Sequence, residues 1–195
     1  MRGAEDMMIR PRWCNWILAL TLTACKQEKA PAASNEGQIV SSGAKSGELV
    51  SYAVEKTDTV SIEGTSQPLR MKLVQFAQSS VPALTYIPVD MISVDQNIDG
   101  AECHFFIANF AGKRNDDAYM AFCITAAGTS QADAVAQAKS FKASRVKPSF
   151  LVDVELKNHN GRFYYLARHY PMEFGDGMGP RIQKILEEWR WLDVT

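Results

Sequence analysis

The reactive side chains of this sequence fall into three groups: four cysteines, a Gly-rich connector near the C-terminus that opens on a histidine, and a few isolated polar residues inside apolar runs. Cys103 and Cys123 lie in two apolar runs separated by AGKRND. If those runs pair as an antiparallel hairpin centred on Lys113, the two cysteines stand directly opposite each other. Opposed residues are about 4.5–5.5 Å apart between Cα atoms, within reach of a disulfide. The alternative is two buried thiols, which pack as small hydrophobes. No C-x-x-C spacing occurs, so nothing points to a redox-catalytic pair.

The connector reads His169-Tyr-Pro-Met-Glu-Phe-Gly-Asp-Gly-Met-Gly-Pro180. His169, Glu173 and Asp176 have the chemistry of metal or small-ligand contacts. Gly177 and Gly179 ahead of a helix could offer amides to an anion. The plainer reading is a Gly-rich connector in which Asp176 favours the helix start and Tyr170 fills the edge of the core. An acid–base enzyme would need two or more of His169, Glu173, Asp176, His104 and Asp95 in one cleft. A histidine and a carboxylate meeting in an open polar pocket would count against a non-catalytic module. No HExxH, G-x-S-x-G, P-loop or G-x-G-x-x-G occurs, so no catalytic residue is assigned and no cofactor is expected.

The N-terminus carries a sharper signal. Arg10 and Arg12 precede an apolar run from Trp16 to Ala24, which ends Leu22-Thr23-Ala24-Cys25. A membrane-spanning helix needs about 20 apolar residues; this run has the length of an export-signal core. Its last four residues resemble the lipobox of bacterial lipoproteins. That resemblance implies cleavage before Cys25, acylation of the Cys25 thiol and amine, and a membrane anchor through the N-terminal lipid, since two or three acyl chains hold where one does not. Cys14 leaves with the signal. Glu5 and Asp6 are unusual for a signal, which points to Met7 or Met8 as alternatives to Met1 for the start. Lys26 follows the cysteine; the missing Asp resembles the outer-membrane default, so a periplasm-facing anchor in the outer rather than the inner membrane is expected.

Residues 26–47 hold Ala, Ser, Gly, Lys and Glu without an aromatic. Such a segment cannot bury enough apolar surface to offset ordering entropy. It reads as a tether about 26 Å in mean span. The expected organisation is residues 1–24 as signal peptide, 25–47 as lipidated cysteine and tether, and 48–195 as one α+β domain.

Inside that domain the elements follow from pattern. Leu69, Met71 and Leu73 alternate with Arg70 and Lys72, as in a half-buried strand. Leu84–Pro88 and Met91–Val94 read as strands, with a turn over Asn97–Gly100. Ser130 or Thr129 caps an Ala-rich helix with Asp133 in its first turn. Val152, Val154 and Leu156 alternate with charges, and Asn160-Gly161 is a favoured two-residue turn. That turn sets Leu156 against Tyr165, Asp153 against Arg168, and His169 against Val152. A last helix starts at Gly179-Pro180 and carries Ile182, Ile185, Leu186, Trp189 and Leu192 on one stripe.

This order predicts a mainly antiparallel β-sheet flanked by helices. The LTYIPVDM segment, two hairpins split by a helix and the closing amphipathic helix resemble the PsbP/Mog-like α/β/α sandwich over residues 69–192. That resemblance implies an accessory or binding protein. The formal charge of −1 offers no basic stripe, which argues against a nucleic-acid partner. The reading is an envelope lipoprotein, a non-catalytic module for a small ligand or an envelope protein. The alternatives are an interaction subunit of an envelope machine and a small hydrolase without a motif.

Overall fold

The computed structural model describes residues 38–40, 50–77 and 79–192. The start methionine, the signal segment, Cys25 and the tether apart from residues 38–40 lie outside them. Within the tether, β1 (Gln38–Val40) pairs antiparallel with β2 (Val50–Tyr52). The strands that follow are β3 (Glu55–Ile62), β4 (Thr65–Gln75), β5 (Ala83–Pro88), β6 (Met91–Ile98), β7 (Ala101–Phe110) and β8 (Lys113–Ile124). After α1 (Gln131–Ala143) come β9 (Phe150–His159) and β10 (Arg162–Pro171), then α2 (Gly175–Glu187) and the short β11 (Arg190–Trp191). The fold is β-rich α+β. Every strand pairing among the described residues is antiparallel: a five-stranded sheet in the order β6-β7-β8-β10-β9 and a four-stranded sheet in the order β11-β5-β4-β3.

Four hairpins turn on X-Gly pairs: Glu63-Gly64, Asp99-Gly100, Ala111-Gly112 and Asn160-Gly161. Both residues of each pair have positive φ, near +50° and then +75° to +80°. This is the turn whose twist matches that of the strands. Asn and Asp adopt such a φ with ease, whereas Glu63 and Ala111 carry a steric cost. The β9–β10 register is the one Asn160-Gly161 dictates, with Leu156 opposite Tyr165 and Asp153 opposite Arg168. Arg168 and Asp153 form an ion pair of 2.7 Å.

The β7–β8 hairpin corrects its expected centre. It turns on Ala111-Gly112, not Lys113. Near the tip Ala108 faces Asn115, but one step on Ile107 faces Tyr119. Asp116, Asp117 and Ala118 therefore form a bulge on β8. These three extra residues bring Cys103 opposite Cys123, and the two are joined by a disulfide with Cα atoms 4.0 Å apart.

Alternation along the strands separates two faces of the five-stranded sheet. One face sets Cys103, Phe105, Tyr119, Cys123 and Tyr165 against Ala138 and Phe141 of α1. The other sets Phe106, Met120, Phe122 and Leu166 against Met178, Ile182 and Ile185 of α2, together with Ile87 of the second sheet. Ser130 caps α1: its Oγ accepts from the Asp133 amide at 3.1 Å and its hydroxyl donates to Asp133 Oδ2 at 2.7 Å. Helix α2 begins at Gly175, not at Pro180, which sits inside it. Burial of Met178, one helical turn before Ile182, holds this earlier start and outweighs the amide that proline lacks. Of the expected stripe, Ile182 and Ile185 are buried on α2, while Trp189 and Leu192 fall beyond its end. Among the described residues no helix is long and apolar enough to cross a membrane.

Candidate functional site

A cavity of about 530 Å³ opens at the start of β7. Ligand pockets run to about 300–1,000 Å³. Three further recesses measure about 270 to 350 Å³. Two strands and one connection build the large one. The Asp99-Gly100 turn fixes the β6–β7 register and sets Asp95 opposite His104. Glu102 precedes His104 by two residues and so shares its face. Gln75, Phe76 and Ser79 come from the end of β4 and the connection to β5.

That connection is held at three points. Phe76 N–H donates to Ala83 O at 2.8 Å. Ser80 N–H donates to Glu102 Oε2 at 3.1 Å. Arg162 Nη2 donates to Ser80 Oγ at 3.2 Å and to Thr125 O at 2.9 Å. The His104 ring packs against Phe76 with centroids 4.2 Å apart.

His104 is only 4% exposed, yet its two ring nitrogens differ sharply in what they meet. Nδ1 donates to Asp95 Oδ1 at 2.7 Å. Nε2 lies 3.3 Å from Glu102 Oε1, but the alignment makes no hydrogen bond, and Nε2 is buried without a partner. Gln75 Nε2, in the same wall, is likewise buried and unpaired. Burial acts to raise the Glu102 carboxyl, but hydrogen bonds from Ser79 and Ser80 and the nearby His104 together hold it below its usual value. Glu102 is thus a carboxylate at neutral pH. Buried polar atoms are nearly always hydrogen-bonded. Two unpaired nitrogens in one wall make this cavity the candidate site.

His169 lies on the other face of the sheet and is 3% exposed. Its Nδ1 is 3.1 Å from Asp117 O and its Nε2 is 3.2 Å from Arg145 O. The ring sits near Tyr119 and Phe150, with centroids 4.9 and 5.0 Å away. Burial pushes its pKa below 6.5, against the pull of the two carbonyls. The ring clamps the β8 bulge to the segment after α1. Glu173 and Asp176 are exposed on the turn before α2 and on its first turn. The structure does not bring them to His169. Among the described residues no three His, Cys, Asp or Glu side chains are placed to hold a metal ion.

Of the five residues considered for an acid–base site, the structure brings together His104 and Asp95, and leaves His169, Glu173 and Asp176 apart. Glu102, Gln75 and Ser79 did not stand out in the sequence, although Glu102-x-His104 on one strand face was a usable signal. A second recess, about 270 Å³, is walled by Phe122, Tyr164, Trp189 and Trp191. Trp189 packs on Phe122 at 4.3 Å and on Phe76 at 5.8 Å, which makes it part of the core edge. No family model, curated protein or solved structure matches this chain.

Proposed function

We propose that the chain is an exported lipoprotein, acylated at Cys25, whose folded region is a binding module with its ligand site in the His104 cavity. The anchor rests on the LTAC sequence and the short apolar run before it, and an outer-membrane, periplasm-facing position on Lys26. A helix against each face of the five-stranded sheet supports the PsbP/Mog-like sandwich; the four-stranded sheet is an addition to that plan. The observation that carries the site is the buried, unpartnered Nε2 of His104 in a cavity walled by two carboxylates.

Two experiments test the two halves. Radiolabelled palmitate should enter the wild type and not Cys25→Ser; equal labelling of both removes the anchor. A thermal-shift screen with sugars, amino acids, amines and carboxylates should give stabilising compounds whose effect is lost in His104→Phe. If every effect survives that substitution, or none is found, the cavity is not the site.

A second reading has its own observation. A histidine held at Nδ1 by a carboxylate, with Nε2 left without a hydrogen bond, has the pairing of a general base. The convergence of His104 and Asp95 is the condition that counts against a purely non-catalytic module. Two facts favour binding. A carboxylate, not a hydroxyl, stands before Nε2, and among the described residues no Lys or Arg lines the cavity to stabilise a developing anion. Fluorophosphonate labelling of Ser79 that disappears in His104→Asn would favour the hydrolase instead.

A further inference from the structure

The α1 face of the five-stranded sheet carries a cavity of its own, and what it offers does not depend on the His104 reading. About 270 Å³ in volume, it lies between the β8 bulge and the segment after α1, with the buried Phe105 and Ile107 in its wall. Arg145 is the residue that stands out in it. Its Nη1 donates to Phe141 O at 3.2 Å and to Ser144 Oγ at 2.7 Å. Its Cζ lies 3.5 Å from the centre of the Phe141 ring. The guanidinium is thus held in place before any ligand arrives. Nε and Nη2 are placed differently. No carbonyl or carboxylate of a described residue accepts from them. Unlike the Nε atoms of Arg162 and Arg181, they are not shut off from solvent. Together they form one edge of the planar guanidinium, the edge that meets both oxygens of a carboxylate side by side. Capping the last carbonyls of α1 needs Nη1 alone and does not account for this open edge.

The other charges that line the cavity are matched with each other. Asp116 pairs with Arg114 and Asp117 with Lys147, each at 2.5 Å. Burial lowers the His169 pKa, so that ring is neutral at pH 7. The charge of Arg145 is left over. Beside it stands the Tyr119 phenol. Burial outweighs the pull of the guanidinium and raises the phenol's pKa, so it keeps a proton to donate. We infer that this cavity binds a small monocarboxylate, R–COO⁻. Its two oxygens accept from Nε and Nη2 of Arg145, the Tyr119 hydroxyl donates to one of them, and a short apolar R group faces Phe105 and Ile107. Charge-assisted, two-pronged bonds of this kind are about twice as strong as neutral ones. A dianion fits less well, because its second charge would face Asp116 and Asp117. A neutral amide has one acceptor oxygen where the fork offers two donors, and no charge for the guanidinium to meet.

The test uses the full chain, uniformly ¹⁵N-labelled, and follows the Arg145 Nε–H and the backbone amides at constant ionic strength. Sodium propionate should move the Arg145 Nε–H along a saturable curve. Propionamide and sodium chloride should not, and sodium sulfate should bind at least about tenfold more weakly than propionate. Arg145→Lys keeps the charge but not the fork. Read at the Asp117 amide, it should weaken propionate at least about tenfold, the equivalent of one charge-assisted hydrogen bond. Tyr119→Phe should weaken it about threefold and gives the same sign if Arg145→Lys does not fold. Equal shifts by propionamide and propionate, or an affinity unchanged in both variants, overturn the assignment. Sulfate binding as tightly as propionate overturns it too, since any anion would then suffice. If no probe moves Arg145, the cavity is not a carboxylate site, whatever is found at His104.

Discussion

The two faces of the five-stranded sheet each bury a histidine, and the two are finished differently. On the α1 face both nitrogens of His169 meet backbone carbonyls, and aromatic rings flank the imidazole. On the α2 face His104 is as deeply buried, but one nitrogen is paired and the other is not. An unpaired buried polar atom costs about 1–3 kcal/mol. A fold keeps such a cost at a site where activity, not stability, sets the residue. Burial alone thus does not separate a structural histidine from a functional one. What separates them is what the ring nitrogens meet: a backbone carbonyl on each side of His169, and for His104 a carboxylate at Nδ1 with Nε2 left without a hydrogen bond.

Replacing each ring by phenylalanine puts the largest strain on that comparison. In His169→Phe the buried carbonyls of Asp117 and Arg145 lose the one N–H that the neutral ring donates between them, and stability should fall by about 2–3 kcal/mol. In His104→Phe a similar shape replaces a ring whose Nε2 was never satisfied; only the bond to a largely exposed Asp95 is lost. The change should stay within about 1 kcal/mol, of either sign. Urea unfolding of both variants decides it. If His104→Phe proves the more damaging, the α2-face histidine is structural and the cavity loses its standing.

The disulfide asks whether the faces act independently. Cys103 and Cys123 lie on the α1 face, while Glu102 and His104, on either side of Cys103 in sequence, point to the other. Closing a loop of this length contributes about 3 kcal/mol in the chain-entropy account. The Cys103→Ala, Cys123→Ala double variant should lose about that much in denaturant. Its His104 ¹⁵N shifts should stay as in the wild type. Altered shifts would mean that the bridge holds the cavity in register as well as the sheet.

How much of this was legible differs from hairpin to hairpin. Asn160-Gly161 is a two-residue turn that leaves no choice of register, so every β9–β10 pair follows from it. Asp99-Gly100 does the same for Asp95 and His104, once the turn is narrowed to those two residues from Asn97–Gly100. The β7–β8 hairpin was harder. Its bulge consists of Asp116, Asp117 and Ala118, and charged residues beside Lys113 and Arg114 read as a solvated tip. Two offsets, a turn nearer the N-terminus and three extra residues on β8, cancel at the cysteines, so the right pair was expected from the wrong centre. Pro180 misplaced the start of α2 because its fixed φ suits a first turn, while the burial of Met178 that extends the helix is a tertiary effect. The rest of the cavity had no local signal. Gln75, Phe76 and Ser79 reach Asp95, Glu102 and His104 through the packing of the β4–β5 connection on β7, a contact no periodicity encodes.

The pH response gives a smaller effect with a defined sign. Burial lowers the His169 pKa in the fold below its ordinary 6.5, so the unfolded chain takes up this proton more readily than the folded one. The contribution of the neutral ring is complete above about pH 6.5 and is lost as pH falls through the lower, folded value. The slope it adds cannot exceed about 1.4 kcal/mol per pH unit, the limit for one proton. Stability curves between pH 7.5 and about 4.5 should show this step in the wild type and in His104→Phe, and not in His169→Gln. A step that persists in His169→Gln belongs to another group.

The smallest effects are expected where the sequence placed its ligand candidates. Glu173 and Asp176 are exposed and away from His169. Asp176 stands in the first turn of α2, where a negative charge favours the helix by about 0.3–1 kcal/mol. Asp176→Asn should therefore cost about 0.5 kcal/mol, and Glu173→Gln, on the turn before the helix, less than that. Added zinc should move the unfolding midpoint of neither variant relative to the wild type. A zinc-dependent rise in the wild type that both substitutions remove would show that the connector gathers its carboxylates around an ion. His169 would then have to leave its two carbonyls, and the contrast between the faces would dissolve from the α1 side.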